Sequence, residues 1–359
     1  MRKLGVDADL IIERPSHVAS LPQWEDGEVE MGVLGDPYDP NWDAFKWSLP
    51  DWIQVWDDRK LWFPYSRTLR WSSLLFMLRK YDLIIGHAPF AKIANPYRAL
   101  YRKPYIIFDA GWIRYLPLNK KGYARARKGY REAARILYTN VDTESMLIEQ
   151  GYSKLAYTPF AIDTDKYSPS QSQTPDTPTF FHPSRHDWPE KGNDRLLRGF
   201  AKYVQRNRKA KLVTVEWYQS IEDLQMSKQL VSELGIQENV RWVPVMPKSR
   251  LIEYYQKSTA IFDQFLFGAF GTTAPEALSC GKPVVGYVES KYWQKYHTEP
   301  PPVLNASSED DIYNAMVKLE DEQLRIDLGK RGRKWIMQNC DYTRVSSQQL
   351  ELYEEVLKQ

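Results

Sequence analysis

Between residues 179 and 288, short apolar runs alternate with stretches whose apolar positions recur every three or four residues. Thr179-Phe180-Phe181-His182 has the length and composition of a buried strand, and a polar loop follows from Pro183 to Gly192. Asn193 or Asp194 is placed to cap a helix, because Leu196, Leu197, Phe200, Tyr203 and Val204 then fall at helical spacing. Lys211–Trp217 predicts a strand, and Glu222–Leu234 an amphipathic helix closed by Gly235. Val240–Val245, Ala260–Phe265 and Pro283–Val288 predict further strands, with helices at Ser249–Gln256 and Ala274–Ser279, the last ended by Gly281. Short strands alternating with helices give an α/β class with a parallel sheet covered on both faces.

The first half repeats this rhythm less regularly. Asp9–Glu13, Asp82–Ile85, Tyr105–Phe108 and Arg135–Tyr138 predict strands. Between the first two lies Asp36 to Trp71, holding six tryptophans (Trp42, Trp47, Trp52, Trp56, Trp62, Trp71) that either glue an irregular insertion to its domain or stack on sugar rings. Asp163–Pro169 and the Ser-, Thr-, Pro- and Gln-rich Ser170–Pro178 have the composition of a hinge. The expected division is therefore a domain over 1–168, a second over 169–340, and a terminal helix in 341–359 with an apolar stripe at Val345, Leu352, Tyr353, Val356 and Leu357. Met1–Gly5 has the form of a helix end with Gly5 in the stop position, followed at once by a strand. A doubly wound sheet usually starts with a central strand, so on the order of 25 residues, a strand and most of a helix, are expected upstream; a short frayed segment is the alternative.

Composition narrows the function classes. The 359 residues leave room for two domains, and the net charge of +3 exerts no global pull toward nucleic acid. Two cysteines, Cys280 and Cys340, are too few for a disulfide framework. With no apolar run long enough to span a bilayer and no signal-peptide pattern, the expected address is cytoplasmic, with the inner membrane face as a peripheral option. The five histidines and two cysteines show no His-x-x-x-His or Cys-x-x-Cys spacing, so no metal site is expected.

Two segments carry candidate chemistry. In Phe267–Val285 (FGAFGTTAPEALSCGKPVV) a strand ends, Gly268 and Gly271 permit a tight turn, and a helix starts near Thr273. Backbone N–H groups there, with the Thr272 and Thr273 hydroxyls, suit a diphosphate, and Glu276 one turn on can accept hydrogen bonds from sugar hydroxyls. On its own such a turn is equally a plain strand-to-helix connection. The second segment, Ser184-Arg185 to Lys191-Gly192, puts two cations in a loop after a strand, at the sheet edge where ligands collect. Arg offers a planar fork to phosphate oxygens and Lys a point charge.

Together these segments resemble the retaining glycosyltransferases of family 4, which use the GT-B fold of two Rossmann-like doubly wound domains facing a cleft. The resemblance runs through R…EKG…LL..F at 185–200, GAFGTTAPEALSCGKPVV at 268–285, the link at 162–169 and the C-terminal DYTRV…LYEEVL at 341–357. It implies a terminal helix that crosses back to the N-terminal domain. It also implies Arg185 and Lys191 as the catalytic diphosphate pair, and Gly268, Gly271, Thr272 and Thr273 in the donor cradle. Glu276 would lie on the donor ribose and Val245, at a strand end, by the nucleobase. Position 268 departs from the pattern: the family's usual Glu, which commonly contacts the donor sugar, is Gly268, and Asp263 or Gln264 is the expected substitute. The family's His after the strand ending at Phe108 is here Asp109, so Asp109, Gly111 and Arg114 are expected to face the cleft. Asp109 either orients an acceptor hydroxyl or caps the next turn. His87, at the end of another strand, is either an acceptor contact or a structural histidine.

The resemblance implies transfer of a sugar from a UDP- or GDP-sugar to a saccharide or lipid-linked acceptor, in surface polysaccharide assembly. Attack on the same face, with the donor phosphate taking the acceptor proton, needs no carboxylate pair at glycosidase spacing. No cofactor beyond the nucleotide-sugar substrate is implied, and metal independence is expected because Arg185, Lys191 and the helix start offset the diphosphate charge. The basic stretch Lys120, Lys121, Arg125, Arg127, Lys128, Arg131 and Arg135 is either a solvated face near acceptor phosphates or a dock for an anionic membrane. A GT-B epimerase or phosphorylase and a non-catalytic nucleotide-sugar-binding relic are the alternatives.

Overall fold

The computed structural model describes residues 1–12, 51–56, 66–87, 90–116, 123–170 and 177–359, with backbone alone at 66–70. Trp42, Trp47, Trp62, Lys120, Lys121, Glu13 and most of the 170–178 linker lie outside the described residues. Two compact units divide the chain. One contains the described residues up to Phe160 together with Thr343–Gln359, and the other Ala161–Tyr342.

In the first unit, β1 (Leu10–Ile12) and β2 (Ile53–Val55) form a parallel pair. A separate parallel sheet runs in the order β3 (Ile84–His87), β4 (Tyr105–Asp109), β5 (Arg135–Tyr138), β6 (Leu155–Tyr157). β4 is apolar on both faces, with Tyr105, Ile106 and Ile107 fully buried, as expected for a strand with packed layers above and below. The helix Tyr342–Leu357 sets Tyr353 and Val356 against Ile106 and Leu137, so the end of the chain completes this core. At the start, a single 3-10 turn, Arg2–Leu4, stands where a helix end is predicted, and Gly5 closes it at φ 81.

The second unit is one six-stranded parallel sheet. Its strands are β7 (Thr179–His182), β8 (Lys211–Val215), β9 (Val240–Val243), β10 (Ala260–Phe262), β11 (Val284–Gly286) and β12 (Leu304–Asn305). Their spatial order is β12-β11-β10-β7-β8-β9. The chain winds one way from β7 to β9, then returns to β10 on the other side of β7 and winds outward again. β7 and β10 therefore flank the topological switch point, where the flanking loops diverge and leave a crevice. Phe180, Phe200, Phe262 and Phe265 are buried to 1% or less at the centre, each worth roughly 1.5–3 kcal/mol of burial.

The loop predicted from Pro183 to Gly192 contains a one-turn helix, Trp188–Lys191, and the following helix begins one residue beyond Gly192. Gly192 (φ 68) makes the left-handed step between the two helices, a conformation costly for a side chain. Asn193 is thus not the cap the pattern predicts: its amide is buried and occupied by the preceding loop. Between Val288 and the terminal helix the pattern predicts no element. There the helices Glu309–Lys318 and Glu322–Asn339 form, the first opened by a Ser308–Asp311 capping box.

Candidate functional site

β7 ends at His182, and the loop behind it is locked from below. His182 Nδ1 donates to Phe262 O on β10 (2.8 Å), so its Nε2 accepts from Asn193 Nδ2 (2.9 Å). Asn193 Nδ2 also donates to Arg185 O, and its Oδ1 accepts from Asp187 N (2.8 Å). His186 lies between Ser227 Oγ and Thr214 Oγ1. Both imidazoles are buried and neutral; desolvation pushes His182 down to about 4 and His186 down to about 3. These rings are struts of the loop rather than proton carriers.

Above the struts, Ser184 Oγ donates to Asp263 Oδ1 (2.7 Å) and lies 3.5 Å from Thr273 Oγ1. Segments far apart in sequence, the β7 loop and the β10 turn, therefore share one rim. Lys191 is tied to the same place, since its carbonyl accepts from Phe265 N (3.0 Å). Arg185 lies partly exposed, its Nη2 2.5 Å from Glu190 Oε2 and its Nε 3.1 Å from Asp187 Oδ2. To bind a phosphate it would exchange a carboxylate for another anion.

After β10, Gly268 takes φ +67, and Gly271 and Thr272 lead into the helix Thr273–Ser279. Gln264 braces this loop: its amide donates to Ala269 O and accepts from Leu266 N and Phe267 N. Asp263 is buried with Oδ2 unpartnered among the described residues, and desolvation raises its pKa. Both side chains, the expected substitutes for an acid at position 268, are buried, with 3% and 2% exposure.

Glu276 is also internal. Oε1 lies 2.5 Å from Lys248 Nζ and Oε2 accepts from Tyr255 OH (2.9 Å), with both members of the ion pair nearly fully buried. Burial beside this carboxylate raises the Tyr255 phenol well above its ordinary value. A cavity of about 40 Å³ adjoins the pair, lined by Trp217, Val245, Met246, Lys248, Thr272 and Thr273 among others. Val245, expected by the nucleobase, and Thr272 and Thr273, expected in the diphosphate cradle, line this one cavity. The lining cation, Lys248, is a residue that sequence reasoning passes over, because a lysine at a helix start carries no distinguishing pattern.

In the first unit, Asp109 is fully buried. Its oxygens accept from Gly111 N (2.6 Å), Ile113 N (3.0 Å) and Tyr130 OH (2.5 Å). Of its two readings, capping the next turn is the one these contacts describe. Burial still leaves its pKa raised, against the pull of the three donors and Arg114. Arg114 grips Asp142 through Nε and Nη2 at 3.0 and 2.6 Å. His87 packs against Phe108 in a tilted ring pair, with centroids 4.7 Å apart. The helix Ala124–Glu132 buries Ala126, Gly129 and Tyr130 and leaves Arg125, Lys128 and Arg131 exposed. Among the described residues no helix is long and apolar enough to cross a membrane.

Residues 164–335 match the family described as glycosyl transferases group 1. This region is a group 1 glycosyltransferase domain. No curated protein sequence matches the chain. Among solved structures, HepE of Anabaena, in complex with UDP and glucose, superposes with a TM-score of 0.71 at 15% identity, over 84% of this chain and 86% of that one. Sucrose-phosphate synthase of Thermosynechococcus elongatus gives 0.67 at 17% identity, over 82% and 78%. TarM gives 0.62 at 12%, over 81% and 58%. The fold is that of the GT-B glycosyltransferases, and a group 1 domain supplies its second Rossmann-like unit.

Proposed function

We propose that the protein transfers a hexose from a nucleoside diphosphate sugar to a saccharide or lipid-linked acceptor. In this reading the transfer retains the anomeric configuration, as in family 4, and serves assembly of a cell-surface polysaccharide. The observation that carries it is the meeting of the β7 loop and the β10 turn at the switch point, through Ser184, Asp263 and Thr273. That meeting gathers two cations and a run of hydroxyl and backbone donors onto one rim, the requirement for holding a diphosphate as it departs. The complexes of HepE with UDP and UDP-glucose favour a UDP-type donor, with GDP as the alternative base.

Lys191 and Arg185 hold the diphosphate, Gly271, Thr272 and Thr273 cradle it, and Gly268 gives the turn its shape. Glu276 and Lys248 meet the ribose, and Val245 the base. The bond from the anomeric carbon to the phosphate oxygen breaks with its electron pair passing to the diphosphate. The acceptor oxygen attacks from the same face, and its proton passes to a phosphate oxygen of the departing nucleotide. Two cations at the rim offset the charge that builds there, so no metal is required. In the first unit, His87, Gly111 and Arg114 are the acceptor candidates, with Asp109 shaping the turn that carries two of them. The exposed cations of the helix Ala124–Glu132 suit the phosphates of a lipid-linked acceptor or an anionic membrane surface.

Nucleotide release from a panel of sugar nucleotides tests this reading. Release is expected with at least one donor, falling about a hundredfold or more in Lys191→Ala. Transfer unchanged in Lys191→Ala would remove the diphosphate assignment. Neither release nor a thermal shift with any nucleotide would leave a non-catalytic protein.

A further inference from the structure

Glu289 stands three residues beyond β11, at the carboxyl edge of the sheet, and its stem fills the space beside Gly268. A Cβ at position 268 would come within 2.6 Å of the Glu289 Cβ, so an acid in the chain at 268 has no room. The two segments are clamped together. Glu289 N donates to Gly268 O at 2.9 Å, and Trp293 Nε1 donates to the same carbonyl at 3.2 Å. Trp293 is buried and packs on Phe270 of the turn, with ring centroids 4.3 Å apart, so the clamp has a rigid base. Glu289 itself is half-buried. Its Oε2 accepts from Tyr287 OH at 3.0 Å, which orients the carboxylate and leaves Oε1 without a protein donor among the described residues.

We propose that Glu289 is the specificity-determining residue that reads the hydroxyls of the donor sugar. This rests on the donor site proposed above. A sugar bonded to the second phosphate must lie beside the turn that holds that phosphate, and Glu289 is fixed to the Gly268 end of that turn. A carboxylate can accept from two neighbouring hydroxyls, and hydrogen bonds to an ionised acceptor are about twice as strong as neutral ones. The acidic and amide side chains in and beside the turn, Asp263, Gln264 and Glu276, are each at most 3% exposed. Asp263 lies beneath Ser184, Gln264 braces its own loop, and Glu276 is held by Lys248 and Tyr255. Glycine at 268 and glutamate at 289 are thus one arrangement, with the carboxylate supplied from the neighbouring strand end.

Isothermal titration of UDP against UDP-glucose, and of GDP against GDP-mannose, tests the proposal on wild-type protein, Glu289→Gln and Gly268→Ala. The readout is the affinity for the sugar nucleotide relative to the bare nucleotide. Glu289→Gln is expected to lower that ratio roughly tenfold or more, with binding of the bare nucleotide unchanged. Gly268→Ala, whose methyl group displaces the Glu289 stem, is expected to lower it in the same direction. A ratio unchanged in Glu289→Gln, or a parallel loss for both ligands, overturns the role of Glu289 and leaves the nucleotide site standing. Wild-type protein that binds none of the four ligands removes the donor site itself and the proposal with it.

Discussion

Arg185 and Arg114 both follow strand ends, and both meet carboxylates, yet the two pairs differ in kind. Arg185 bonds Asp187 and Glu190, two and five residues along its own loop, with 28% of its side chain exposed. Arg114 grips Asp142 from the neighbouring strand end, 28 residues away, with 15% and 7% of the two side chains exposed. A local, partly wet pair can open for an anion without disturbing the sheet. A cross-strand pair in a drier setting is part of what holds two strand ends in register. The rim at β7 and β10 thus keeps its cation exchangeable, whereas the rim at β4 and β5 commits its charges to architecture.

The sharpest test of that distinction is the most enclosed pair, Lys248–Glu276. Lys248→Met strands a buried carboxylate and should cost about 3–5 kcal/mol in urea unfolding, whereas Lys248→Met with Glu276→Leu should recover most of it. A single variant as stable as wild type would mean that the pair is wetter than its contacts imply. Next, Arg114→Ala should destabilise by about 3 kcal/mol by leaving Asp142 unpaired. Arg185→Ala should cost under about 1 kcal/mol, its pair being screened by water, while lowering transfer about a hundredfold. Equal stability losses at the two arginines would erase the comparison.

A further effect, spread over pH rather than tied to one pair, comes from the struts. His182 and His186 are neutral when folded, with desolvation pushing them from 6.5 to about 4 and about 3. Above pH 6.5 both states are neutral and the stability is fully present. As pH falls below 6.5 the unfolded chain binds two protons that the folded chain refuses. Stability should then drop by up to about 2.7 kcal/mol per pH unit until pH nears 4. His186→Gln should halve that slope in denaturant midpoints measured from pH 7 to 5, and a flat wild-type profile would contradict the buried, neutral assignment.

Much of the second unit was legible from pattern. Thr179–His182 is the strand its apolar run predicts, and Glu222–Leu234 differs from the observed helix by one residue at each end. Such elements depend on local periodicity, and a sheet buried on both faces writes continuous apolar runs. β6 and β12, with three and two residues, are too short to carry a period and form only by pairing with a neighbour. Within the candidate site, Arg185, Lys191 and the Gly268–Gly271 turn were visible because turns and loop cations are local signals. Lys248, Ser184 and Glu289 were not, since each has meaning only through a partner elsewhere in the chain.

By itself the sequence determined the alternation of strands and helices, the two glycine turns and the placement of cations after a strand. Those features follow from neighbours within a few residues. Only the tertiary structure decided which charges are committed and which are exchangeable. Asp109 is closed by Tyr130, Glu276 is held by Lys248, and Glu289 fills the space that glycine leaves at 268. The physical reason is that desolvation and hydrogen-bond partners are set by contacts between distant segments, and no local pattern records them.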